Sequence, residues 1–218
     1  MSHLLKDRVL GCMVGGAVGD ALGYPMEFWN YDTILNEYGR NGITRYKLGR
    51  NGKELISDDT QMTLFTAAGL LIDLELWPKH VKRMQDIVMQ AIDLAHTDIP
   101  DETAIAQIGE GWTGHEALAI AMYCAIKHAN SFEDAVVSAV NHSGDSDSTG
   151  AICGNIIGCL LGRSRIPEYY TDQLELIDVI EEIAADLYTG CIISEYDPCD
   201  TPEKQSWERK YVDMRWKK

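Results

Sequence analysis

Basic residues are scarce: 19 Lys and Arg stand against 34 Asp and Glu in 218 residues, a net charge of −15. Nucleic-acid backbones are held by clustered Lys and Arg, so this balance argues against phosphate-backbone binding. Zinc spacing is missing too, with no Cys-x-x-Cys pair among six cysteines and no Cys/His cluster. Gly11 and Gly16 have the phosphate-loop spacing, but Ala17 and Val18 follow where Lys and Ser/Thr are required. No Gly-x-Gly-x-x-Gly occurs. No apolar run approaches 18 residues, and the N-terminal stretch carries Lys6, Asp7, Arg8 and Asp20, unlike a signal peptide. The expectation is a cytoplasmic protein with no membrane partner. Cys12, Cys124, Cys153 and Cys159 then read as small core residues in apolar helical stretches. Cys191 and Cys199 would pair only in an oxidising compartment. Strand periodicity is slight, and repeats and low-complexity stretches are lacking.

What remains is helical. Hydrophobic residues at 45% and charged residues at 24% suit a globular chain with one sizeable core. The expectation is a single all-α domain over 1–218, with 1–194 as core and 195–218 as a C-terminal tail or helix. Residues 3–22 read as a helix whose Gly11, Gly15, Gly16 and Gly19 leave one side nearly bare, suited to a central position with close neighbours. Residues 23–56 look loop-like and hold Glu27 among apolar and aromatic neighbours; a long irregular segment of this kind is often functional. Ser57-Asp58-Asp59-Thr60 opens a helical run that Pro78 ends. Further helices are expected over 79–96, over 117–129, from a capping box at Ser131, and over 146–162. Another is expected over 171–188, closed by Gly190, and a last one from Thr201.

Two stretches crowd acids with hydroxyls at helix starts. One is Ser57-Asp58-Asp59-Thr60; the other is His142–Asn155, where Asp145 and Asp147 alternate with Ser146, Ser148 and Thr149. Asp or Ser before a helix is an ordinary cap, which accounts for one acid in each stretch. Two acids with several hydroxyls, repeated about ninety positions apart, suggest two helix starts aimed at one point. Four converging carboxylates would repel unless cations lay between them, and oxygen ligands of this kind suit Mg²⁺ or Mn²⁺ better than zinc. Asp145-x-Asp147-x-Thr149-Gly150 imitates a calcium loop, but Ile156 stands where that loop needs Glu. His142 beside Ser143 and Asp145 invites a hydrolase triad; triad members normally come from distant parts of a fold, so a loop-orienting His is the plainer reading.

Three motifs in this order resemble the ADP-ribosylglycohydrolase family: Gly19-Asp20-Ala21-Leu22-Gly23 with Glu27, then Ser57–Thr60, then Ser143–Ser148. Gly111-Trp112 followed by Glu116-Ala117-Leu118 is similar to a further family landmark. The resemblance implies an all-helical fold with two Mg²⁺ or Mn²⁺ ions. It implies Ser57, Asp58, Asp59, Asp145, Asp147 and Ser148 as metal ligands and Glu27, Asp59 and Asp145 as catalytic residues. Asp20, Gly144 and Ser146 would meet the substrate. The implied reaction cleaves ADP-ribose from a modified protein side chain or a small ADP-ribosyl conjugate. The chain departs from the family in one place. Only 52 residues separate Asp59 from Trp112, and the cleft-shaping Asn-Gly-x-x-Met-Arg segment is not found, which puts activity and substrate choice in question. The alternatives are a non-catalytic family member that binds ADP-ribose or a partner, and a structural helical protein whose acid clusters are caps.

Overall fold

A computed structural model describes residues 2–48, 52–61, 63–64, 82–189 and 201–212. The fold is all-α, and its organising contact is between two glycine-rich helices. Helix α1 spans Ser2–Gly23, and Gly11, Gly15, Gly19 and Gly23 recur along it every four residues. That spacing puts all four on one face. A Cβ built on Gly11 would meet Gly158 O, one on Gly15 would meet Gly154 O, and one on Gly19 would lie 1.9 Å from Gly150 O. Gly23 in turn faces Ser146 O. The descending partners show that α1 runs antiparallel to this second helix, Ser146–Leu161, here α7. Glycine in a helix interior costs about 1 kcal/mol relative to Ala; here it brings two backbones to a distance that no side chain permits. Leu4–Met26 is long and apolar enough to cross a membrane by length and composition alone, yet 72% of its most apolar window is buried. Packing inside the protein accounts for that apolarity.

The other helices surround this pair. They are α2 (Tyr31–Tyr38), α3 (Lys82–Ala95), α4 (Asp101–Ile108), α5 (Gly114–Lys127), α6 (Phe132–Val140), α8 (Glu168–Thr171), α9 (Ile177–Thr189) and α10 (Pro202–Trp207). Helices α5 and α6 pack on α7, α9 packs on α1, and α3 packs on α5. Val14, Val18, Leu22, Ile120, Tyr123, Val136, Val140 and Ile157 are fully buried where these faces meet.

Several boundaries follow local chemistry. Ser131 Oγ accepts from Asp134 N at 3.2 Å, the forward half of the expected capping box. Thr201 Oγ1 accepts from Lys204 N at the start of α10. The stretch 23–56 is less irregular than expected: Asn30 Oδ1 accepts from Thr33 N at 2.8 Å and starts α2, which Gly39 ends at φ 84°. The expected helix over 171–188 begins only at Ile177, after the short helix Glu168–Thr171. Glu54 N donates to Gln173 O, Glu175 N donates to Glu54 O, and Leu176 takes φ 55°. That pairing draws 173–175 out of helical geometry, so α8 ends at Thr171 and α9 starts at Ile177. The cysteine reading is corrected as well. Cys124 and Cys153 are buried, but Cys12 is half-buried and Cys159 is exposed. Most of the expected helix after Ser57 lies outside the described residues, as do Gly190, Cys191, Cys199 and residues 213–218.

Candidate functional site

Close approach of α1 and α7 places Asp20, one residue after Gly19, beside the N-terminus of α7. Asp20 is fully buried. Its carboxylate accepts from Ser57 N at 3.0 and 3.2 Å, from Thr60 N at 3.1 Å, and from the Thr60 hydroxyl. It therefore anchors the start of the Asp58–Gln61 helical turn. The resemblance implied a substrate contact for Asp20; full burial makes it a support beneath the site. Ser57 supplies a second fastening, its Oγ accepting from Asp59 N at 3.1 Å.

Anchoring carries Asp59 over to α7. Ser148 Oγ donates to Asp59 Oδ2 at 3.1 Å, and Ser148 N donates to Asp147 Oδ1 at 3.0 Å. Carboxylate oxygens of Asp20, Asp59 and Asp147 lie within 4.8 Å of one another, and so do those of Glu27, Asp145 and Asp147. Asp147 belongs to both groups. Asp58 belongs to neither; it is exposed at the helix start. Gly144 and Ser146 are buried, and Ser146 Oγ donates to Gly144 O, so these two shape the turn beneath the acids.

The turn itself is tightly held. His142 is 3% exposed. Its Nδ1–H donates to Ser143 O at 2.7 Å, and Nε2 lies 2.9 Å from Thr149 Oγ1. Ser143 Oγ accepts from Tyr31 N at 3.0 Å. Both ring nitrogens of His142 are thus occupied within the turn, which bears out a loop-orienting role and leaves no triad. Asp145 N donates to Glu110 O at 2.9 Å, tying in the Gly109–Gly111 loop. Gly144 takes φ 118°, and a Cβ there would meet Glu110 O, so only glycine allows this loop to come so near.

Electrostatics follow from the crowding of these acids. Burial, then Asp20, raise the Asp59 carboxyl to about 6, against a lowering hydrogen bond from Ser148. Burial raises Asp147 well above the carboxylate range, helped by the hydrogen bond shared with Asp145 and the charge of Glu27. Glu27 is raised by burial, then by Asp145 and Asp58. Groups of like charge held together favour protons or cations between them. An all-oxygen set of carboxylates and hydroxyls suits a hard divalent ion, and these residues fit one. Asp145 occupies the N-cap position of α7 but makes no side-chain cap hydrogen bond, so capping does not account for it.

The sequence did not show Asp147 as the shared acid, Asp20 as an anchor, or the rim that Phe28 and Trp112 form by stacking their rings 5.5 Å apart. A cue existed for Asp20, which follows the third glycine of the α1 series.

A family model described as ADP-ribosylglycohydrolase matches residues 1–83 and 73–195. An ADP-ribosylhydrolase of Dictyostelium discoideum is 34% identical over 80 residues, 35% of this chain and 20% of that protein. An ADP-ribosylarginine hydrolase of Serratia proteamaculans is 36% identical over 73 residues, 34% of this chain and 20% of that protein. An ADP-ribosyl-dinitrogen reductase glycohydrolase of Rhodospirillum rubrum is 41% identical over 66 residues, 28% of this chain and 21% of that protein. The matched stretches thus span about a fifth of these relatives. A solved chain from an ADP-ribosylglycohydrolase-related protein complex shares the fold, with TM-score 0.57 and 20% identity over 87% of this chain and 100% of that one. On the extent of the family match, the chain belongs to the ADP-ribosylglycohydrolase family.

Proposed function

We propose that this chain is a divalent-cation-dependent hydrolase that releases ADP-ribose from a modified protein side chain or a small ADP-ribosyl conjugate. The observation that carries the reading is the pair of acid groups sharing Asp147, built from two helix starts, the Glu27 loop and Asp20 of α1. Asp59, Asp145, Asp147 and Ser148 would hold Mg²⁺ or Mn²⁺, with Asp58 at the exposed edge and Ser57 buried beneath. When bound, such ions neutralise the carboxylates and polarise sugar hydroxyls.

The residues of the chain perform the remaining work. Asp20, Ser57 and Thr60 fix the position of Asp59 from beneath. Glu27 is the group suited to moving a proton, because it stands half-buried on its own loop beside Asp145 and Asp147, and burial and neighbouring acids raise its carboxyl. It would take a proton from water as the water oxygen bonds to the anomeric carbon. The bond from that carbon to the acceptor breaks, and the leaving nitrogen or oxygen receives the proton. The N-terminal end of α7 adds partial positive charge near the substrate's anionic part.

Calorimetry with ADP-ribose, with and without Mg²⁺, tests binding. A release assay on ADP-ribosyl-arginine and ADP-ribosyl-serine peptides then tests turnover. Mg²⁺-dependent release is expected. Binding without release would overturn the hydrolase reading in favour of a binding role.

A further inference from the structure

The rings of Phe28 and Trp112 lie with centroids 5.5 Å apart and planes 16° from parallel. Both are open to solvent, Phe28 at 74% and Trp112 at 46%, so this is no core contact. Phe28 takes φ 71°, a left-handed conformation that a bulky side chain adopts only when something holds it. Phe28 directly follows Glu27. Trp112 is fastened in its turn: Nε1–H donates to Glu110 Oε2 at 3.1 Å, and Glu110 O accepts from Asp145 N at 2.9 Å. The stack thus joins the loop that carries Glu27 to the loop that holds Asp145.

Glu27 needs such a tie. Its carboxylate oxygen lies within 4.8 Å of those of Asp145 and Asp147; one side-chain hydrogen bond to Asp147 holds it there, and the charge of Asp145 pushes it outward. The loop's own hydrogen bonds offer little resistance: Glu27 N reaches Tyr24 O only at 3.4 Å, and Trp29 N donates to Met26 O at 2.9 Å. Stacked aromatic rings supply an attraction that water and salt screen much less than charge.

We propose that the Phe28–Trp112 stack is the restraint that keeps Glu27 over the acid cluster, which makes Trp112 a positioning residue for that carboxylate. The proposal rests on Glu27 as the proton-moving group of the preceding section. Without the stack, the loop around Glu27 swings outward and the acids lose one member.

Amide hydrogen exchange in the cation-free protein tests this on the parent, Trp112→Ala and Trp112→Phe. In Trp112→Ala the Glu27 and Trp29 amides should exchange faster by about three- to tenfold, the scale of one aromatic pair. Trp112→Phe keeps a ring and should stay near the parent. The Val14 and Val18 amides of α1 should be unchanged in all three. Unaltered exchange at Glu27 and Trp29 in Trp112→Ala overturns the proposal. Equal acceleration in Trp112→Phe also overturns it, and so does acceleration that reaches Val14 and Val18. These readouts need no turnover, so a parent that releases no ADP-ribose counts against the hydrolase reading alone, and the exchange comparison still decides the restraint.

Discussion

Ser148 donates its hydroxyl to Asp59 Oδ2 at 3.1 Å, joining positions 89 residues apart. The contact ties together the two acidic motifs.

Asp145 gives the sharpest test of the acid cluster. In chelator the crowding of Glu27, Asp145 and Asp147 is relieved only by proton uptake, which costs stability near neutral pH. Asp145→Asn should therefore melt at the same temperature as the parent or higher. Added Mg²⁺ should raise the parent's Tm, since an ion bound only by the folded state contributes ~2.7 kcal/mol at a hundredfold excess over Kd. The mutant should lose most of that rise by scanning calorimetry. Lower stability in chelator together with a full Mg²⁺ response would reduce Asp145 to a helix cap.

Gly19→Ala probes the helix crossing, where an added methyl would lie 1.9 Å from Gly150 O. Overpacking of this kind costs about 1–3 kcal/mol. Because the crossing also sets Asp20 against the start of α7, the Mg²⁺-induced Tm shift should shrink. Gly114→Ala is the control, with nothing within 4 Å of the new methyl. Urea titration of both variants separates the effects; equal stability would mean the backbones can part without cost.

Glu27→Gln should affect turnover far more than folding. The side chain sits at the rim, so its replacement should change stability by about 0.5 kcal/mol or less. Release of ADP-ribose should slow about a hundredfold or more, the scale of a lost general acid or base. Unchanged kcat in this mutant removes Glu27 from the chemistry.

Glu54 sets a pH dependence of its own. It is 5% exposed, and its Oε2 has no hydrogen-bond partner among the described residues. Burial raises its carboxyl from 4.5 to about 7, against lowering by the Leu55 and Lys47 backbones and the Lys47 charge. Folding therefore tightens proton binding here. The stabilising contribution is complete below 4.5 and is lost as pH rises toward 7. Glu54→Gln should flatten Tm against pH over that window, measured in chelator. Equal slopes in parent and mutant would exclude Glu54 as the titrating group.

Much of the fold was legible because it is local. The periodic apolar faces of α3 and α6, and the caps at Ser131 and Thr201, announce helices wherever they stand in a chain. The acids were legible in the same way, since carboxylates and hydroxyls crowded at a helix start are more than a cap requires. Helix α2 was hidden because Asn30 starts it inside a stretch rich in glycine. The break between α8 and α9 was hidden because its cause, Glu54, lies over a hundred positions away.

The amino-acid sequence alone determined the all-helical character, the two acidic motifs and the glycine face of α1, because each depends on neighbours within a few residues. Only the tertiary structure decided that Gly19 meets Gly150, that Asp20 is buried beneath Ser57 and Thr60, and that Asp147 serves both acid groups. Those outcomes depend on how near two backbones come and which side chains remain between them. No periodicity along one strand of sequence records a distance across the fold.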